Sequence, residues 1–467
     1  MFKRHFFLLL ILVAVNPLSL ASQKKIDFTR LELTATEELT KTRTPGVAIA
    51  IISGDRIVFT KTLGVSNIET GTPVTADMLF RIASNTKMLT AAALVSLAEK
   101  GKIDLNEPIG AYVKGLSPKL SQVSLHQLLS HTAGIRDGAS DFGLHDDSAL
   151  GSFIRTWTDD YLFTEPGRIF SYSNLGYDLA GLVLEEVTGK PYADAMAEVL
   201  FKPLGMNHTT VRPLMAMTYR FSSGHKIVEN GSPVIVRPLA DEAREWPSGG
   251  VFTNVSDYAR FVVAFMNQGG VGGKQVLSLK VIEKLSTPHS NSPNGDEQER
   301  TQYGYGLNIV NYRGLRVLQH GGSMVGFGAL LRMVPEHRFA IIILSNRTGA
   351  LFTKTMDQAT EMALPLAQEP PVEAKKPWPM NDAEQARYVG TYINSPTYLS
   401  VEILQKNGSL FLRQIGANDM TPIIKIGKNR FSSDGKEFVL VLDQNNQVEF
   451  LHIVGHAFKK SSSAVLK

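Results

Sequence analysis

The sequence predicts an α/β chain of the segregated, α+β kind. A large domain draws its antiparallel sheet from both of its ends around a helical insertion, and a small all-β domain follows. Three observations predict this. Strand-like runs with tight turns lie at residues 46–61 and again at 315–344. Helical patterns fill the stretch between them. Beyond a proline-rich segment the hydrophobic period drops to two, with turn signals every several residues. At 467 residues the chain exceeds one ordinary domain, which fits a large unit with a smaller one attached.

Taken in order, Met1-Phe2-Lys3-Arg4-His5 is basic, residues 6–15 are an unbroken apolar run, and Ser19-Leu20-Ala21 offers the small residues a signal peptidase reads. A bilayer span needs about 20 apolar residues, so the expectation is a cleaved signal peptide at 1–21 rather than an anchor, and a periplasmic or secreted mature protein with no membrane span. The absence of cysteine excludes disulfides, thiolate catalysis and cysteine metal sites. The formal charge of +4 includes Lys3 and Arg4, and no Lys/Arg block interleaved with aromatics occurs, so a nucleic-acid partner is unsupported.

Val47-Ala48-Ile49-Ala50-Ile51-Ile52, a turn at Ser53-Gly54-Asp55 and Arg56-Ile57-Val58-Phe59-Thr60 read as a hairpin. Its first strand is almost wholly apolar, as suits a strand covered on both faces. Helices are expected at 124–129, 175–188, 193–199, 256–267 and 278–285, and strands at 315–319, 328–334 and 339–344. These assignments put the large domain at 22–365. Pro370, Pro371, Pro377 and Pro379 mark a semi-rigid linker at 366–381. Residues 382–467 then form the all-β barrel or sandwich, with strands at 399–403, 410–413, 422–426, 438–442 and 448–453.

Ser84-Asn85-Thr86-Lys87 stands at the mouth of an alanine- and leucine-rich helix stopped by Gly101. Residues three apart on a helix share a face, so the Lys87 amine can reach the Ser84 hydroxyl and activate it as a nucleophile. Ser-x-x-Lys also occurs at Ser22, Ser223 and Ser433, none of which opens an apolar helix. A proton shuttle and oxyanion donors are needed besides. Tyr172-Ser173-Asn174, in a loop leading into a helix, presents Tyr172 and Asn174 to one side. Gln319-His320-Gly321-Gly322-Ser323 ends a strand where substrate backbone could lie close, with the amides of Ser84 and Ser323 as oxyanion donors. Tyr392-Ile393-Asn394 repeats the Tyr-x-Asn pattern and is read as strand sequence.

With these three sets in place, and with Leu128-Leu129-Ser130-His131-Thr132-Ala133-Gly134-Ile135, Pro247-Ser248-Gly249-Gly250-Val251 and Tyr303-Gly304-Tyr305-Gly306-Leu307 beside them, residues 30 to 365 resemble the serine β-lactamase and penicillin-binding-protein family. The branch is the class C-like one, which also holds D,D-peptidases, D-aminopeptidases and esterases. The resemblance implies a β-lactamase/transpeptidase-like fold, with Ser84 forming an acyl-enzyme and Lys87 and Tyr172 sharing the acid and base work. It makes Asn174, His320, Gly321 and Gly322 substrate-binding, and leaves His131 and the Pro247 turn to the scaffold. The tail is similar to the lipocalin-like barrels appended to some members, beginning near Arg387.

One departure matters. Where lactamases carry Lys-Thr-Gly this chain has His320-Gly321-Gly322, which removes a permanent cation and a hydroxyl. A lost charge-assisted hydrogen bond costs about 1.5 to 3 kcal/mol, which points away from efficient β-lactamase action. The expectation is an exported serine hydrolase acting on a D-amino-acid peptide or small ester. The alternatives are a penicillin- or cell-wall-fragment-binding protein with negligible turnover, or a class C-type β-lactamase. No cofactor and no metal are implied.

Overall fold

The computed structural model describes residues 27–293, 301–369, 376–395 and 399–461. The expected signal peptide lies outside the described residues. The large domain begins with α1 (Thr29–Thr42), β1 (Gly46–Ser53) and β2 (Arg56–Asn67). It continues through α2 (Thr86–Glu99), α3 (Leu125–Leu129), α4 (Asn174–Thr188), α5 (Val255–Met266) and α6 (Leu279–Ser286). It ends with β3 (Asn308–Tyr312), β4 (Leu315–Met324), β5 (Phe327–Val334), β6 (Phe339–Ser345) and α7 (Thr353–Ala363).

The sheet runs β3-β4-β5-β6-β1-β2, antiparallel throughout, with short strands Gln302–Tyr303 and Ser290–Asn291 beyond β3 and Thr72–Pro73 beyond β2. The first strand thus lies beside the last, with Val47 opposite Ser345. Side chains alternate across a strand, and β1 uses both faces. Ala48, Ala50 and Ile52 join a core with Leu89 and Leu94 of α2, Leu179 of α4 and Val262 of α5. Val47, Ile49 and Ile51 pack on Leu31 and Ala35 of α1 and Met356 and Ala359 of α7. Fully burying a Val or Ile side chain contributes about 1.5–3 kcal/mol, so β1 anchors both layers.

The helices α1 and α7 were not expected from the sequence. Both are rich in Thr, a weak helix former, and carry thin apolar stripes, so covering the sheet decides their conformation. A single carboxylate clasps them. Glu38 of α1 accepts from the Lys354 N–H at 3.0 Å, the Thr355 N–H at 2.7 Å and the Thr355 hydroxyl at 2.6 Å, at the N-terminus of α7.

A second correction concerns the glycines after Gln319. They do not end a strand: β4 runs on through His320, Gly321 and Gly322 to Met324, with Gly322 opposite Ala329. Gly322 is required there because a Cβ would sit 2.3 Å from the Ile82 carbonyl oxygen, so the strand and the backbone before Ser84 touch directly.

The C-terminal unit opens with α8 (Asp382–Tyr388). It closes an eight-stranded antiparallel barrel from β7 (Gly390–Ser395), β8 (Leu399–Lys406), β9 (Ser409–Gln414), β10 (Thr421–Lys425), β11 (Arg430–Ser433), β12 (Lys436–Leu442), β13 (Val448–Ile453) and β14 (His456–Lys460). Tyr392, Ile403, Phe431, Phe438, Leu451 and Phe458 are among the side chains of its core, and α8 sets Tyr388 edge-on to Phe431 at 5.1 Å. The barrel docks on the large domain through Ile169, Phe450 and Ala457, beside an Arg168–Glu449 ion pair.

Candidate active site

Ser84 lies in a 3-10 turn, Ala83–Asn85, that runs directly into α2. The turn is entered through Ala83 at φ 46°, a left-handed backbone that non-glycine residues seldom adopt. It is held on one side by the Ile82 N–H on the Val251 carbonyl at 3.0 Å, and on the other by the contact with Gly322.

Lys87 follows three residues later and is fully buried. Its Nζ is 3.2 Å from Ser84 Oγ, 2.6 Å from Asn174 Oδ1 and 2.9 Å from the Ser248 carbonyl. Asn174 begins α4 behind a Ser173 cap. Its N–H and Nδ2 both donate to Asp137, at 2.7 and 3.2 Å, which fixes the amide with its oxygen toward the lysine. Two of the three neighbours of Nζ are therefore pure acceptors. A neutral Lys87 fills them with its two hydrogens and leaves its lone pair facing Ser84.

Burial lowers Lys87 to about 8, against the opposing pull of Asp178, Asp137 and Glu245. Two of these carboxyls are themselves displaced. Burial raises Asp178 well above the usual range and pushes Glu245 up to about 9, with Asp178 adding to it. Tyr172 lays its ring 4.8 Å from Lys87 Nζ and brings its hydroxyl to Ser84. Burial raises that phenol far above its ordinary value, so it stays protonated. Of the two candidate bases, only the lysine has its neutral form within reach of ordinary pH.

His320 is buried at 4% exposure, and burial holds its imidazole down at about 4. Its hydrogen bonds run one way. The Ser173 N–H donates to His131 Nδ1 at 3.1 Å, so neutral His131 carries its proton on Nε2 and donates it to the Tyr303 hydroxyl, 3.2 Å away. His320 must carry its own proton on Nδ1, which faces the Gly321 carbonyl at 2.6 Å. Its Nε2 is then the acceptor for Tyr303, at 3.3 Å. The imidazole ends a chain of donors and presents no cation.

One cavity is lined by the nucleophile and a second by Tyr172 and His320 beside it. The first, of about 320 Å³, is lined by Ser84, Asn174, Gly249 and Ser323 together with Asp141 and Glu242. The second, of about 450 Å³, lies between β4 and the barrel, against Tyr172, Tyr303, His320, Gly321, Gly455 and His456. Ser84, Lys87, Tyr172, Asn174, His320, Gly321, Gly322 and Ser323 are thus brought to one place. The sequence reading missed Asp137, the Ser248 carbonyl, Tyr303 and the turn between β13 and β14. Ser248 and Tyr303 lay in stretches already singled out, and Asp137 just beyond one. The barrel turn carries no local signal.

Residues 31–362 match the family described as Beta-lactamase. The chain belongs to that family.

Among its curated relatives is Protein flp of Staphylococcus aureus strain MW2, 26% identical over 344 residues, a span of 72% of this chain and 65% of that relative. The chain therefore spans just under two thirds of the length of such relatives. Penicillin-binding protein 4 of Amycolatopsis lactamdurans is 27% identical over 370 residues, 76% of this chain and 94% of its own. Among solved structures, that of SurE superposes with a TM-score of 0.76 at 22% identity, over 92% of this chain and 98% of that one. SurE with D-Leu gives 0.74 at 21%, over 93% and 100%. At these identities the likeness to SurE is one of fold, and it is too long to leave out the barrel. The motif-based resemblance to β-lactamases and penicillin-binding proteins holds, and the chain is a serine-hydrolase-like protein of that group.

Proposed function

We propose that this protein is an exported serine hydrolase that opens an amide or ester through an acyl-enzyme at Ser84, with a D-amino-acid peptide or small ester as substrate. The observation that carries the reading is the coordination of Lys87, whose neutral amine donates its two hydrogens to Asn174 Oδ1 and the Ser248 carbonyl so that its lone pair is left for the Ser84 proton.

Neutral Lys87 takes that proton as Oγ bonds to the carbonyl carbon. The charge that develops on the carbonyl oxygen is met by the Ser84 and Ser323 amides. Tyr172, kept as the phenol, protonates the departing amine or alkoxide and is refilled by the proton on Lys87. Water then repeats the sequence on the acyl-enzyme, leaving acid and free Ser84.

The neutral imidazole of His320 favours substrates that present no carboxylate to β4, and with it weak or no β-lactamase action. The SurE structure holds D-Leu, which supports a D-residue at the acyl or acceptor side. A fluorophosphonate labels wild type and not Ser84→Ala; equal labelling removes the nucleophile. Turnover of a p-nitrophenyl ester, a D-alanyl amide and nitrocefin, run together, then separates esterase, peptidase and lactamase. Labelling with no turnover on any of them makes the protein a binder.

A further inference from the structure

We propose that Asn394, on β7 of the barrel, is a positioning residue for the chemistry at Ser84, so that the barrel holds the catalytic groups in register. This rests on the Ser84 hydrolase reading above.

Asn394 is buried at 1% exposure, and every polar atom of its amide is used across the domain boundary or beside it. Oδ1 accepts from the Asp137 N–H at 2.9 Å. Nδ2 donates to Ser171 Oγ at 3.3 Å and to the Ala457 carbonyl at 2.8 Å. Two short chains leave from this amide and both end at the nucleophile.

On one side, Ser171 Oγ also takes the Ala457 N–H at 3.1 Å. The next residue, Tyr172, gives its backbone N–H to the Gly455 carbonyl of the barrel at 2.8 Å. The loop that carries the Tyr172 phenol is therefore fastened to the barrel by three hydrogen bonds, two to strands β7 and β14 and one to the turn between β13 and β14. On the other side, Asp137 holds Asn174 by its N–H and Nδ2, and Asn174 Oδ1 holds Lys87. One amide thus sets the spacing between the proton donor and the base. Displacing a reacting group by about 1 Å costs on the order of 100-fold in rate, so a small loosening at Asn394 reaches the reaction without any contact with substrate.

The alternative is that these bonds merely stabilise the docking of two domains. Asn394→Ala separates the two in a p-nitrophenyl ester assay normalised to the fraction of Ser84 titrated by fluorophosphonate. The expected result is a kcat per titrated site lowered at least roughly tenfold, with KM within about threefold. Glu449→Gln, which breaks the exposed ion pair with Arg168 at the same interface, keeps kcat within about twofold. Ser171→Ala gives its own smaller loss, and the Asn394→Ala/Ser171→Ala pair loses no more than Asn394→Ala alone, because both cut one chain.

Wild-type kcat per titrated site in Asn394→Ala overturns the proposal, as does an equal loss in Glu449→Gln. If Asn394→Ala fails to fold, Ser171→Ala carries the test, and an unchanged kcat there overturns it. Turnover that survives Ser84→Ala instead brings down the hydrolase reading. A dead Ser84→Ala beside a normal Asn394→Ala brings down this inference alone.

Discussion

The assignment of Lys87 as the base is tested by the pH dependence of Ser84 acylation in wild type and in Tyr172→Phe. An amine at about 8 is neutral in roughly one molecule in eleven at pH 7, whereas at its ordinary 10.5 it would be neutral in roughly one in three thousand. Burial therefore raises the base-competent fraction on the order of 300-fold, equivalent to about 3 kcal/mol of bias against the charged amine. The sign follows from the role. A base must be deprotonated, so kcat/KM rises about tenfold per pH unit below the lysine value and levels off above it.

Stopped-flow release of p-nitrophenol from about pH 6 to about pH 9, corrected for background hydrolysis, reads this limb directly. Tyr172→Phe is expected to lower the plateau on the order of 100-fold, while the midpoint stays within about half a unit of wild type. A midpoint that moves by more than about one unit in Tyr172→Phe, or a profile flat through pH 8, refutes the reasoning and returns the base to the tyrosine.

Three other outcomes are expected. His320→Gln keeps an uncharged acceptor for Tyr303 and leaves KM for neutral esters within about threefold, and a large rise in KM would show that substrate binds a protonated imidazole. Gly322→Ala forces a Cβ against the Ile82 carbonyl, so urea titration should show a loss of about 1–3 kcal/mol together with slower labelling of Ser84, and unchanged labelling would disconnect β4 from the nucleophile turn. Glu38→Ala leaves two N–H groups at the start of α7 without their acceptor and is expected to cost about 1–3 kcal/mol in the same titration, with kcat intact in the folded fraction.

The nucleophile and its lysine were legible because three residues of helix fix their geometry whatever surrounds them. The same holds for Tyr172 and Asn174, two residues apart at a helix start, and for β1, whose unbroken apolar run announces cover on both faces. What was hidden depends on distant partners. Nothing local in the Thr-rich α1 or α7 states that a sheet waits for them. The glycines of β4 look like a strand end until the Ile82 backbone is placed against them. Tyr392-Ile393-Asn394 was read as strand sequence, and it is a strand. The partners of its asparagine are up to 257 residues away in sequence, at Asp137, so no window of sequence could contain both.

The seam between β1 and β6 has a consequence for how the molecule comes to exist. Gly46 gives its N–H to the Asn346 side chain at 2.7 Å across 300 positions of chain, so two neighbouring interior strands of the sheet join residues made early to residues made late. Contacts of such sequence separation close slowly, because the intervening chain must surrender its freedom before the bond repays it. The Ser84 turn leans on β4, and the Tyr172 loop on the Gly455 turn, so neither is supported until the later segment has been synthesised and folded back. Hydrolysis by this protein would then report completion: a nascent or prematurely ended chain carries the serine and the lysine side by side, yet lacks the walls that make them reactive.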